Sequence, residues 1–214
     1  MRYYFAPMEG LTDSIFRLLH HKYFPGVDRY YTPFFSPTVH RALTPKEARE
    51  LPPAASMDFN VVPQLLTKVP EDFLWMAQQC KDLGYGEVNL NLGCPSGTVT
   101  AKGKGSGMLR DLDALKRFLE EIFSQTPIDI SIKTRIGFAS PVDFPALLDI
   151  FNCYPVKELT VHPRDAVSFT AVCRIWMPLL MPSKTAKLPC VIMGICVHCQ
   201  RLHNFLKNSR KLTR

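Results

Sequence analysis

No stretch of this sequence approaches the roughly 18 consecutive apolar residues that a membrane-spanning helix needs. Its opening, Met1-Arg-Tyr-Tyr-Phe-Ala-Pro7, lacks the apolar core of a secretory signal, so a cytoplasmic location with no membrane partner is expected. The seven cysteines follow no regular spacing, which argues against a disulfide scaffold and for reduced thiols. Acids are nearly missing from one region. Residues 165–214 contain Asp165 alone of the 19 acids, yet hold eight of the 26 Lys and Arg, which leaves 18 of each sign in residues 1–164. The net charge of +7 therefore belongs to the tail and argues little for nucleic-acid binding by the folded body. What remains, 46% hydrophobic and 21% charged, suits one globular domain with a sizeable core.

Three segments alternate apolar and polar residues with a period of two: Glu87–Leu92, Ile128–Lys133 and Glu158–His162. Each is predicted to be a strand that turns Val88, Leu90 and Leu92, or Ile128, Ile130 and Ile132, or Leu159 and Val161, toward a layer of helices. Tyr3–Pro7, Tyr30–Phe34 and Val61–Leu66 read as earlier strands. Helical patterns lie between them. One begins at Pro70 and stops near Gly84, one is capped by Asp111 and carries Leu112, Leu115, Phe118, Leu119 and Ile122, and one follows Pro141.

Strand and helix in alternation imply a parallel sheet. Six strands by residue 162, several polar on their second face, fit a TIM (β/α)₈-type barrel better than an open doubly wound sheet. In such a barrel the carboxyl ends of the strands converge on one mouth, so Asn91, Lys133 and His162 are expected to line a single cavity. Tyr30–Phe35 is expected to pack the barrel rather than stack bases.

The densest signal is Asn89–Gly107, where Cys94 stands between glycine and proline just past a strand end. The glycine-rich run after it matches neither a P-loop nor a dinucleotide fingerprint, and it reads equally as a phosphate cradle or a flexible substrate loop. Arg135 and Arg164 read equally as phosphate contacts or ion-pair partners.

Five groups of residues, in order, resemble the tRNA-dihydrouridine synthase family: Ala6–Asp13 with Phe16-Arg17, Pro63-Gln64-Leu65, Asn91-Leu-Gly-Cys-Pro95 with Lys102-Gly-Lys-Gly-Ser106, Lys133-Thr-Arg-Ile-Gly137, and His162-Pro-Arg164. The resemblance covers about residues 1–164 and implies a flavin-binding barrel followed by a small helical domain. It implies that Pro7, Met8 and Glu9 lie beside the ring of FMN, that Gln64 and Lys133 hydrogen-bond it, and that His162 contacts the cofactor. Cys94 is then the general acid, and Asn91, Lys102, Arg135 and Arg164 meet the substrate. The implied reaction reduces the C5–C6 bond of uridine in tRNA, with FMN recharged by NADPH, by a monomer that needs no metal. Reducing that bond takes a hydride no side chain supplies. Thiols as a class are mostly protonated at neutral pH, which suits an acid that delivers a proton to C5.

After Arg164 the family pattern should continue with a seventh strand bearing Asn-Gly-Asp, an eighth bearing Gly-Arg-Gly and a helical tRNA-binding domain, and none stands in the sequence as written. Reverse translation of Cys190–Ile195 in a shifted frame permits Cys-Tyr-Asn-Gly-Asp, and Ile175–Lys184 in that frame permits a regular helix. The reading is therefore a barrel portion over 1–164 and an aberrant basic, cysteine-rich tail over 165–214, the product of a frameshift. Cys196-Val-His-Cys199 with His203 has zinc-like spacing but lacks a second ligand pair. Two other readings stand beside the synthase: an inactive truncated product, and a flavin barrel acting on a free pyrimidine, like a dihydroorotate dehydrogenase. In barrels the cofactor phosphate usually sits on the loops after strands seven and eight. The chain is thus expected to bind FMN far more weakly than a version with the frame restored. Titrating both by flavin fluorescence checks this, and comparable tight binding would overturn it.

Overall fold

The computed structural model describes residues 2–37, 41–140, 143–167 and 190–192. The elements run β1 (Tyr4–Phe5), α1 (Ser14–Tyr23), β2 (Arg29–Phe35), α2 (Pro45–Glu50), β3 (Val61–Leu65), α3 (Pro70–Asp82), β4 (Glu87–Leu92), α4 (Gly97–Thr100), a 3₁₀ turn (Gly105–Arg110), α5 (Leu112–Gln125), β5 (Asp129–Arg135), α6 (Phe144–Phe151), β6 (Leu159–His162) and β7 (Cys190–Ile192). The sheet pairs in sequence order, β1 through β7, with every neighbour parallel. Among the described residues this is an incomplete TIM-type barrel of seven strands.

Local chemistry starts the helices where expected. Asp111 caps α5 by accepting from the Ala114 amide at 2.9 Å. Proline and two acids open α3, and Gly84, at φ +86°, turns the chain after it. Helices α1 and α2 are not evident from apolar spacing. The apolar residues Ile15, Leu18 and Leu19 of α1 point to solvent, so no buried stripe marks it. It is set instead by Asp13, which accepts from the Phe16 amide, and α2 by a Thr44–Glu47 capping box.

The period-two faces divide as expected. Val88, Leu90 and Leu92, Ile130 and Ile132, and Leu159 and Val161 join Phe73, Met76, Leu115, Phe118 and Ile122 in one core. The opposite face carries Asn89 and Asn91 on β4, Ser131, Lys133 and Arg135 on β5, and Thr160 and His162 on β6. Its register pairs Asn91 with Lys133, Lys133 with Thr160, and Arg135 with His162. Strand β5 runs two residues past Lys133, which places Arg135 on the sheet. Tyr30, Tyr31 and Phe35 are buried in the packing.

At the amino ends of the strands Arg29 bridges Glu87 (3.1 Å) and Glu158 (3.5 Å), and Lys157 bridges Glu87 (3.2 Å) and Asp129 (2.9 Å). This network ties β2, β4, β5 and the approach to β6 at the end of the barrel that supports stability, leaving the carboxyl ends for chemistry. In the tail, β7 adds to β6 in parallel at Leu159–Val161, so the sequence as written extends the sheet by one short strand. The zinc-like spacing at Cys196–His203 and the basic end from Lys207 lie outside the described residues.

The loop after β1 is anchored by a buried ion pair. Arg17, 1% exposed, donates to the Thr12 carbonyl (2.8 Å), to the Glu50 carboxylate (3.0 Å) and to the Glu50 carbonyl (3.2 Å). Burial pushes its guanidinium below the ordinary range, and Glu50 pulls it back. Glu50→Ala should therefore cost about 3–5 kcal/mol by stranding a buried cation, whereas Arg17→Met with Glu50→Leu should recover most of the loss. Urea unfolding of the three proteins checks both.

Candidate active site

The site grows from the end of β4. The side-chain oxygen of Asn91 accepts from the amides of Gly93 (3.0 Å) and Cys94 (2.9 Å), an Asx-type turn that halts the strand and swings the cysteine toward the mouth. The Asn91 amide nitrogen donates to Gln64 Oε1 (2.7 Å), Gln64 Nε2 donates to Asn89 Oδ1 (2.8 Å), and Asn89 Nδ2 donates to Ser131 Oγ (2.9 Å). Side-chain amides thus link β3, β4 and β5 across the polar face. Gln64, assigned by resemblance to the flavin ring, is 1% exposed with both ends of its amide engaged in this chain.

Cys94 is partly exposed. Its carbonyl accepts from both the amide (3.1 Å) and the hydroxyl (2.8 Å) of Ser106. Arg135 donates from Nε to the Gly93 carbonyl (2.7 Å) and from NH1 to the Asp165 carbonyl (2.8 Å), tying the loop after β4 to the loop after β6. The second half of the glycine-rich run is packed rather than loose, while Gly97 and Lys102 stay exposed. Its amides turn inward, Gly103 to Thr100, Lys104 to Val99 and Gly107 to Lys104, and Gly105–Leu109 are buried. Gly105, at φ +57°, packs so closely that a Cβ there would stand 2.9 Å from the Cys94 carbonyl oxygen. Sequence reasoning missed this because a glycine-rich string specifies flexibility only until something packs on it.

The electrostatics around the turn are one-sided. Burial pushes the Lys133 ammonium down to about 8, Arg135 adds to the shift, and Cys94 opposes it. Among the described residues Lys133 makes no ion pair. His162 is pushed down to about 4 by burial, then by Arg135, Lys133 and Arg164, so it is neutral at physiological pH. A second cationic group sits on the rim, where Lys104 donates to Ser36 Oγ (2.8 Å) and is pushed down by burial and by Lys102 and Lys68, with Asp72 opposing the shift. Lys68 was not singled out from sequence and Lys104 only as part of the Lys102–Ser106 motif, since only the fold brings the loops after β3 and β4 together.

On the loop after β1, Met8 holds a tight turn through Thr12, whose Oγ1 accepts from the Met8 amide (2.8 Å). The Met8 side chain is exposed, Pro7 is partly buried, and Glu9 pairs with Lys46 (3.5 Å). The structure therefore gathers Asn91, Cys94, Lys133, Arg135 and His162 at the strand ends and leaves Pro7–Glu9 on the loop after β1, held by the Met8–Thr12 turn and the Glu9–Lys46 pair. Among the described residues no helix is long and apolar enough to cross a membrane, and no cluster of three or more His, Cys, Asp or Glu could hold a metal ion.

The family model described as "Dihydrouridine synthase (Dus)" matches residues 4–178. The chain is similar to the "tRNA-dihydrouridine(16) synthase" of Shigella flexneri, 29% identical over 174 residues, which is 77% of this chain and 54% of that protein. It is similar to the "tRNA-dihydrouridine(20/20a) synthase" of Xylella fastidiosa (strain Temecula1 / ATCC 700964), 27% identical over 189 residues, 86% of this chain and 53% of that protein. To the "Probable tRNA-dihydrouridine synthase 1" of Synechocystis it is 27% identical over 133 residues, 62% of this chain and 37% of that protein. In these comparisons it spans about half the relatives' length or less.

The suppressed basicity of His162 has a measurable consequence. Its folded value of about 4 lies below the ordinary 6.5, so between those values the unfolded chain binds a proton that the folded site refuses. Stability should fall as pH drops from about 6.5 through 4, by roughly 1–3 kcal/mol from this residue. His162→Gln should flatten the decline, as read from urea midpoints measured across that range.

Proposed function

Because the chain belongs to the dihydrouridine synthase family, we propose that it reduces the C5–C6 bond of a uridine in tRNA, with FMN as hydride carrier and NADPH as the reductant. The observation that carries this reading is the Cys94 turn, a thiol held at a strand end among cationic groups. When bound, FMN supplies the hydride that no side chain can.

The residues present fit such a group in part. Lys133, an inward ammonium without an ion pair among the described residues, suits the electron-rich edge of a flavin ring, and the neutral imidazole of His162 can donate or accept a hydrogen bond beside it. Gln64 fits with its amide already oriented by Asn89 and Asn91, which leaves one N–H and one oxygen lone pair for the ring. Pro7, Met8 and Glu9 fit as a loop at the mouth with Met8 and Glu9 exposed. The loops on which barrels usually hold a cofactor phosphate lie outside the described residues.

On the substrate side, Cys94 holds the proton to be delivered to C5 of the uracil. The base must leave its stack to reach this depth. Asn91 has its oxygen committed to the Gly93 and Cys94 amides and one N–H to Gln64, so it holds the turn and keeps its second N–H for orienting the base. Lys102, with Lys68 and Lys104, offers a positive rim for RNA phosphates. Arg164 lies beside Arg135 at the end of β6 and adds to the same positive field. A tRNA substrate places the protein in the cytoplasm, where its thiols stay reduced, and as a monomer it presents one mouth to one RNA. The family match favours this substrate over the free pyrimidine of the alternative reading.

Dihydrouridine formed in unmodified tRNA, with saturating FMN and NADPH, is the direct assay. Cys94→Ala should lower turnover by roughly 10²–10⁴, and unchanged turnover would remove Cys94 from this role. Lys102→Ala should weaken tRNA binding across sequences and reduce the slope of log affinity against log salt by about one.

A further inference from the structure

Gly93 and Cys94 have four backbone polar groups between them, and all four are held by side chains or amides of other elements. The two amides donate to Asn91 Oδ1, the Gly93 carbonyl accepts from Arg135 Nε (2.7 Å), and the Cys94 carbonyl accepts twice from Ser106. Ser106 is 0% exposed, so its hydroxyl would be costly to bury without this bond. Its two glycine neighbours make the approach possible. A Cβ on Gly105 would stand 2.9 Å from the Cys94 carbonyl oxygen and 3.1 Å from Cys94 Cβ, and one on Gly107 would stand 2.9 Å from the Thr100 carbonyl oxygen.

We propose that Ser106 is a positioning residue for Cys94: from the buried 3₁₀ turn it grips the cysteine carbonyl and, with Asn91 and Arg135, sets where the thiol points. This rests on the reading of Cys94 as the acid. Gly105-Ser106-Gly107 then acts as one device, the glycines bringing the backbone close and the serine supplying the second bond. Arg135, read from sequence as a substrate contact, completes the clamp from β5.

The decisive measurement needs neither cofactor nor RNA. Iodoacetamide alkylation is followed residue by residue by peptide mass spectrometry, with Cys80 (buried) and Cys153 (exposed) as internal references. In Ser106→Ala the loss of one hydrogen bond should raise alkylation at Cys94 by roughly three- to tenfold, while Cys80 and Cys153 keep their rates. An unchanged rate at Cys94, or a parallel rise at Cys80 that reports general loosening, overturns the proposal. Should that variant fail to fold, amide exchange in the unaltered protein decides: the Cys94 and Ser106 amides should be protected, and exchange at unprotected rates at either overturns it. Turnover supplies the link to function. Ser106→Ala should lower kcat with little change in KM for tRNA, and should have no further effect in a Cys94→Ala background. A full additive loss there would overturn the claim that Ser106 acts through Cys94. Inactivity of the unaltered protein would count against the proposed reaction, yet the alkylation and exchange results would still be readable.

Discussion

The side-chain amide of Asn91 is the joint on which the site turns. Its oxygen ends β4 by capturing the Gly93 and Cys94 amides, and its nitrogen donates to Gln64, which donates to Asn89, which in turn donates to Ser131. Buried amides left without partners cost about 1–3 kcal/mol each. The row therefore favours closing as a unit, and its closure aligns the ends of β3, β4 and β5. Moving any member would shift the cysteine.

Around that joint the protein gathers positive charge, and among the described residues Lys133 makes no ion pair. Lys133, Arg135 and Arg164 each act on a neighbour, and the nearest opposing groups are Cys94 and Asp165. Such a cluster opposes folding, since like charges at low dielectric repel. The proposed binding of an electron-rich ring and a polyanion would give a physical reason for it. Arg135 lowers the cost by directing donors at the Gly93 and Asp165 carbonyls, so the same group that strains the electrostatics also builds the turn.

The barrel was legible because its cause is local. Alternation at Val88, Leu90 and Leu92 and at Ile130 and Ile132 reports a sheet with one face on helices, and Pro70 and Asp111 mark helix starts by chemistry that acts within one turn. Helix α1 was not legible by spacing, because Ile15, Leu18 and Leu19 face solvent and carry no packing signal. That Asn91, Lys133 and His162 meet at one mouth was legible because strand register brings residues at strand ends together, whereas Cys94 was marked by the family resemblance. The role of the glycine-rich run was not. Nothing in the string Lys-Gly-Lys-Gly-Ser-Gly says that its amides will turn inward onto Thr100, Val99 and Cys94. In the tail, the short strand Cys190–Ile192 joins β6 although the sequence reading expected a foreign segment there.

By itself, then, the sequence determined the alternation of strand and helix, the side of each strand that meets the core, and the family to which the ordered motifs point. These follow from periodicity and from residue types at fixed offsets, which are properties of the chain before it folds. Only the tertiary structure decided that Gln64 spends its amide on Asn89 and Asn91, that Arg135 reaches across to Gly93, that Lys68 and Lys104 meet on one rim, and that Ser106 grips the carbonyl of Cys94 twelve residues away. A side chain's hydrogen-bond partner depends on which other groups are brought within about 3 Å of it in a space closed to water, and that proximity is a product of packing.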